Sequence, residues 1–231
     1  MDAVILAGGR GSRMFALVPE YHKPLLQVDG VPLVCRAVDL AHAAGVSTPV
    51  VVVAPQNAEA IENALGERHA ALIVQRRPKG PGHALALGLQ VYARPKPSDR
   101  VLLLLADNLS TDVDVAAVAE HPTAVGVREI PRADAERFTR YESNIDAWVE
   151  KEPLTSPGPD VTCWIGPVVG DRERMTEAVW RARLMHINDN DGRETLIGPY
   201  LGMFMRPGEH NLIHVSSRDV GTIESFLGGQ Q

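Results

Sequence analysis

Gly8, Gly9 and Gly11 stand beside Arg10 and Arg13 directly after the apolar run Val4–Ala7, and Lys23 follows ten residues after Arg13. Glycines let a backbone turn tightly and approach a ligand with no Cβ in the way. A strand feeding such a loop aims main-chain N–H groups past the carboxyl edge of its sheet, where open α/β sheets bind ligands. Arginine adds fixed positive charge and can fork onto phosphate oxygens. These residue types suggest that the loop holds a polyphosphate, with a bare structural turn as the alternative. The order is G-G-x-G-x-R, which is neither the G-x-G-x-x-G of dinucleotide-binding folds nor a P-loop with its lysine and hydroxyl. A dehydrogenase is correspondingly disfavoured.

The elements that must position this loop read as an alternation of strands and helices. "AVILA" (3–7), "PVVVVA" (49–54), "ALIV" (71–74), "RVLLLLA" (100–106) and "TAVGV" (123–127) are continuous apolar strand candidates. Helical spacing marks 31–45, 57–65 with Asn57 as its cap, about 82–91, and 112–120. Buried strands between helices predict a mostly parallel sheet covered on both faces, an α/β fold of the Rossmann-like three-layer kind. From 128 to 170 the alternation fades among Pro131, Pro153, Pro157 and Pro159. "NIDAWVEK" (144–151) reads there as a half-exposed strand, and the stretch as a β-rich insertion. A helix near 172–185, a strand at 211–215 and a short helix at 222–227 complete the series.

Composition narrows the partners. The chain has 231 residues, 45% apolar and 23% charged, which suits one large domain with a buried core. A net charge of −6 with no basic block argues against nucleic acid, while one local basic pocket for a phosphorylated ligand remains compatible. No run approaches the roughly 18 apolar residues of a membrane helix. No basic-then-apolar leader is visible either, so no membrane association is expected and the cytoplasm is the default location. Cys35 and Cys163 are far apart without metal-ligand spacing and read as buried, reduced thiols.

With "HKPLLQVDGVPLV" (22–34) after the loop, the chain resembles the sugar-nucleotide pyrophosphorylases, the glucose-1-phosphate thymidylyl-, uridylyl- and cytidylyltransferase family. The resemblance rests on G-G-x-G-[TS]-R and the lysine of a K-x-L segment at this spacing. It implies a single nucleotidyltransferase domain over 1–231, with 1–127 serving the nucleotide and 128–231 the sugar phosphate. Arg13 and Lys23 would be catalytic; Leu6, Ala7, Gly8, Gly9, Gly11 and Ser12 would bind the nucleotide. "QRRPKGPGHALALG" (75–88) resembles the base-recognition segment: Gln75 offers acceptor and donors to a pyrimidine edge, and Gly80 lets the base lie on the backbone. A surface loop is the alternative there.

Asp107 in "VLLLLADN" (101–108) and Asp219 in "SSRDVGTIESF" (216–226) resemble the family's two metal-binding aspartates. Carboxylate oxygens suit Mg²⁺ shared with phosphates. Otherwise Asp107 caps a turn and Asp219 the last helix, where Thr222 competes. "WVEKEP" (148–153) resembles the segment that brings Glu150 to sugar hydroxyls and Lys151 to the phosphate, with an exposed charged strand as the alternative. "WIGPVVGD" (164–171) places Gly166 in the sugar pocket. Three positions depart from the pattern. "FALV" (15–18) replaces a proline and threonine, Thr139 stands where a sugar-contacting glycine is expected, and Val168 where an aromatic is frequent.

The implied reaction is attack of a sugar 1-phosphate on the α-phosphorus of a nucleoside triphosphate (dTTP, UTP or CTP), expelling pyrophosphate. No general base is required of His83 or His22, which read as structural or peripheral. Two rivals stand beside it. One is transfer to a non-sugar phosphate such as phosphocholine, for which Trp148 and Trp164 would have to form a π cage. The other is a non-catalytic nucleotide-sugar binder. Dimers or higher assemblies are common among enzymes of this kind. The chain ends soon after the last motif, so no acyltransferase repeat domain is expected to follow.

Overall fold

The computed structural model describes residues 1–8, 22–77, 79–92, 99–136, 138–144, 146–150, 153, 158–187, 195–205 and 211–220. Gly9, Gly11, Ser12, Arg13 and Lys151 therefore lie outside the described residues, as do "FALV" and the 222–227 helix with Thr222.

Strand β1 (Asp2–Ala7) is followed by a small hairpin of β2 (Gln27–Val28) and β3 (Val31–Pro32). Helix α1 (Leu33–Ala43) starts two residues later than its periodicity suggests because Val31 and Pro32 pair with β2. Then come β4 (Val50–Val53), α2 (Ala58–Leu65), β5 (Ala71–Val74), α3 (Pro81–Val91) and β6 (Arg100–Leu105). Strands β6, β1, β4 and β5 lie side by side and parallel. Period-two alternation sorts their side chains: Ala3, Ile5, Val51 and Val53 pack under α1 and α2, whereas Val4, Val50 and Val52 pack under α3. Val50–Val53 are all at 0% exposure, which explains why this strand is apolar without a break. The three-layer α/β/α sandwich expected from the alternation is the architecture observed.

The second half enlarges the same sheet. After β7 (Asn108–Leu109) and α4 (Asp112–Ala119) come β8 (Ala124–Pro131), the short α5 (Arg132–Ala135), β9 (Arg140–Glu142) and β10 (Ala147–Val149). The twelve-residue β11 (Asp160–Asp171) runs antiparallel to β6, β8 and β9. Among the described residues the sheet has nine strands: seven in the order β10-β9-β11-β6-β1-β4-β5, with β8 beside β11 and β12 beside β8. The β-rich stretch thus joins the central sheet rather than forming a layer apart. Helix α6 (Arg172–Ile187) and the one-turn α7 (Leu201–Phe204) cover the α3 face. β12 (Leu212–His214) pairs with β8, and β13 (Arg218–Asp219) pairs with β7.

Candidate active site

The parallel strands deliver polar groups to one edge. Gly8 follows β1, Asn57 and Gln75 follow β4 and β5, and Asp107 follows β6, all at the carboxyl ends where such sheets bind ligands. Asn57 does not cap α2 with its side chain, contrary to the sequence expectation. It is 1% exposed, and its Nδ2 donates to the Ala7 carbonyl at 3.0 Å, tying the end of β1 to the turn after β4. A buried backbone acceptor at a strand end needs a donor, and this requirement outweighs the cap.

Lys23, Asp107 and Asp219 meet at one point. The Lys23 ammonium lies 2.6 Å from Asp107 Oδ2 and 3.2 Å from Asp219 Oδ1. Sequence separations of 84 and 196 residues are closed by two devices. β7 and β13 set Asn108 opposite Asp219, and Val220 N donates to Asp107 O at 3.2 Å. A small apolar cluster of Leu26, Val28, Leu33 and Val220, with Leu109 against it, joins the Lys23 segment to the Asp219 segment. Burial works against the Lys23 charge, but Asp107 and Asp219 outweigh it and hold its pKa above the ordinary 10.5.

Two carboxylates converging on one cation are hard oxygen donors of the type Mg²⁺ takes. Among the described residues no group of three or more His, Cys, Asp or Glu could hold a metal by itself. Two carboxylates would leave the rest of an ion's shell to phosphate and water oxygens, a coordination that Mg²⁺ accepts.

Asp114 is a residue that motif reading passes over. It is 4% exposed and forms a capping box with Thr111 at the start of α4. Its carboxylate also accepts from Ser216 N at 2.7 Å, Ser216 Oγ at 3.0 Å and Ser217 Oγ at 3.1 Å. This one side chain anchors the segment that leads into Asp219. Burial would raise its pKa, but hydrogen bonds from Ser216 and Thr111 prevail and lower it. Arg128 adds a bond from its guanidinium to Ser217 O at 3.2 Å. Only the local S/T-x-x-D pattern was visible in advance.

Gln75 and Gly80 form a second cluster beside Gly8. Gln75 is 3% exposed; its Nε2 donates to Gly80 O at 3.1 Å and lies 2.9 Å from His83 Nδ1. Gly80 has φ +84°, a backbone that L side chains rarely adopt, and Pro81 opens α3 immediately after it. Thr195 clamps this turn: its N–H donates to Lys79 O, and its carbonyl accepts from Gly82 N, each at 2.8 Å.

The Thr195–Gly198 segment links that cluster to Glu150. A Cβ on Gly198 would collide with Thr139 Oγ1 and Glu150 Oε2. Thr139 Oγ1 donates to Glu150 Oε2 at 3.1 Å, and Thr139 O accepts from Trp164 N at 2.8 Å. Thr139 therefore steadies Glu150 at the position where a glycine was expected. Gly166 lies where the pairing of β11 with β8 shifts register. The space of its missing side chain is filled by Val215 and Gly126, and its carbonyl accepts from Trp164 Nε1 at 2.9 Å. Trp148 and Trp164 are packed in the core at 6% and 9% exposure, so they present no open π cage. Cys35 and Cys163 are buried and unpaired; burial pushes Cys163 up to about 12, which leaves it no thiolate character at neutral pH. Among the described residues no helix is long and apolar enough to cross a membrane.

The family model described as the MobA-like NTP transferase domain matches residues 3–138. A bifunctional protein GlmU from Paraburkholderia phytofirmans is 35% identical over 216 residues, 90% of this chain and 45% of that protein. A glucose-1-phosphate thymidylyltransferase from Neisseria gonorrhoeae is 27% identical over 174 residues, 69% of this chain and 58% of that protein. The chain thus spans about half the length of these curated relatives. In fold it matches a solved Bacillus anthracis structure, designated a glucose-1-phosphate thymidylyltransferase and complexed with sucrose. The TM-score is 0.76 at 21% identity, covering 100% of this chain and 94% of that one.

Proposed function

The chain belongs to the MobA-like NTP transferase domain family, and we propose on that premise that it joins a nucleoside triphosphate to a sugar 1-phosphate, releasing pyrophosphate. The observation that carries this reading is the meeting of Lys23, Asp107 and Asp219 at the carboxyl edge of the parallel strands. The relative named glucose-1-phosphate thymidylyltransferase supports a sugar phosphate as acceptor and, among dTTP, UTP and CTP, favours dTTP as donor.

The roles follow from charge and position. The Gly8–Arg13 loop would cradle the triphosphate, with Arg13 on the departing pyrophosphate. Lys23, charged at any physiological pH, would neutralise the reacting phosphates. Mg²⁺ on Asp107 and Asp219 would supply charge neutralisation for the in-line transition state. Glu150, steadied by Thr139, would accept from sugar hydroxyls, and Lys151 would orient the acceptor phosphate. The attacking phosphate oxygen is already anionic, so positioning and electrostatics carry the rate without a general base. Residues 1–127 would serve the nucleotide and 128–231 the sugar phosphate, with Asp219 reaching back across that division. The buried indoles of Trp148 and Trp164 favour a sugar over a quaternary amine.

The test is pyrophosphate release with Mg²⁺ and a matrix of nucleoside triphosphates and sugar 1-phosphates. Release should need both substrates and collapse in Asp107→Asn and Lys23→Ala. Absence of release for every pairing, phosphocholine included, would overturn the proposal.

A further inference from the structure

The Gln75 amide is held in one orientation. Its nitrogen lies 3.1 Å from Gly80 O, and a carbonyl oxygen can only accept, so the amide oxygen cannot occupy that place. Its second N–H goes to His83 Nδ1 at 2.9 Å, which makes that ring nitrogen the acceptor and leaves the ring proton on Nε2. Burial, then Lys79 and Arg183, lower the His83 pKa, in keeping with a neutral ring. Both Gln75 N–H groups are thereby used. Oε1 is left on the Gly8 side, 3.4 Å from where a Cβ on Gly8 would sit, with no hydrogen bond among the described residues. The Thr195 clamp on Lys79 and Gly82 keeps this turn from rotating.

We infer that His83, acting with the Gly80 carbonyl to hold the Gln75 nitrogen turned away, makes Gln75 Oε1 an acceptor that selects nucleobases with a ring N–H on the pairing edge. Uracil and thymine at N3 and guanine at N1 offer that donor. Cytosine and adenine present a ring acceptor at the same place, and two acceptors face to face repel. The inference rests on the reading of Gln75 as the nucleobase partner. His83 acts through Gln75 and is a positioning residue.

The experiment measures equilibrium binding of UTP, dTTP, GTP, CTP and ATP to the full chain with Mg²⁺, and kcat/KM for pyrophosphate release. Wild type, His83→Leu and His83→Gln are compared, each checked for an unchanged melting temperature. UTP or dTTP should exceed CTP by about tenfold or more, the worth of one buried hydrogen bond made against one opposed. GTP decides whether the shared donor suffices or the pocket also excludes a purine. In His83→Leu only Gly80 O still holds the amide nitrogen, and the ratio should fall to within about threefold as the second hold is lost. His83→Gln, whose amide oxygen can accept from Gln75, should keep most of it. A wild-type preference for CTP or ATP, or an unaltered ratio in His83→Leu, would overturn the inference. Preferential binding with no pyrophosphate release in any pairing would remove the transferase reading and leave the His83 assignment standing. Turnover without base preference would do the reverse, and no nucleotide binding at all would overturn both.

Discussion

The ammonium of Lys23 lies 2.6 Å from Asp107 Oδ2, and the same nitrogen reaches Asp219 Oδ1 at 3.2 Å. One cation thus holds two carboxylates that would otherwise repel each other. Lys23→Met leaves them opposed with no positive charge between. Breaking a buried pair costs several kcal/mol, but Asp107 is 35% exposed and water screens part of the repulsion. The expected loss is about 1–2 kcal/mol in chelator. Added Mg²⁺ should raise the melting temperature of the variant more than that of wild type, because a divalent ion replaces the missing charge. Equal gains in a thermal melt would show that the two aspartates do not share a cation.

Asp114 should matter to both stability and pH response. Its carboxylate is bound to Thr111, Ser216 and Ser217, so Asp114→Asn puts an NH₂ against donors and should cost about 2–3 kcal/mol. The folded-state pKa is lowered from 3.8, meaning the folded protein binds this proton more weakly than the unfolded chain does. Its contribution is therefore complete above 3.8 and disappears as pH falls through the lower folded value. Urea midpoints between pH 2 and 6 should fall less steeply in Asp114→Asn than in wild type. Parallel curves would remove Asp114 from the acid response.

How much of this could be read from sequence differs between elements for a physical reason. The parallel strands announce themselves because burial on both faces demands uninterrupted apolar runs, as at Val50–Val53. Lys23, Asp107 and Asp219 were visible because each sits in a recognisable segment. β11 was not read as one long strand, since Gly166 and Pro167 interrupt its pattern where the register with β8 shifts. Asp114 has no part in the sequence reading because its partners Ser216 and Ser217 lie 102 and 103 residues away. Asn57 misled for the same reason: local pattern marks it as a cap, while its use is set by the Ala7 carbonyl 50 residues earlier.

Gly198 supplies a test of the acceptor end. A Cβ there would collide with Thr139 Oγ1 and Glu150 Oε2, so Gly198→Ala must push Glu150 aside or shift the turn. Overpacking of this kind costs about 1–3 kcal/mol. If Glu150 contacts the sugar, KM for the sugar phosphate should rise about tenfold while that for the nucleotide stays within about twofold. Adding Thr139→Ala makes room and should recover part of the loss. A rise confined to the nucleotide KM would move Glu150 out of the sugar pocket.

Base preference should itself depend on pH through His83. Its Nδ1 accepts from Gln75 only while the ring is neutral. Burial, Lys79 and Arg183 lower its pKa from 6.5, so the ring is neutral at pH 7 and above and gains its proton only below 6.5. On protonation Nδ1 becomes a donor and meets the Gln75 N–H head-on, which removes one of the two holds on the amide and leaves only Gly80 O. The ratio of UTP or dTTP to CTP binding should be flat from pH 7 to 8.5 and decline in acid. In His83→Gln, which has no titrating group at that position, the ratio should hold across the same range. A decline of equal size in both proteins would place the titration on the nucleotide or elsewhere in the site, and His83 would lose its part in base choice.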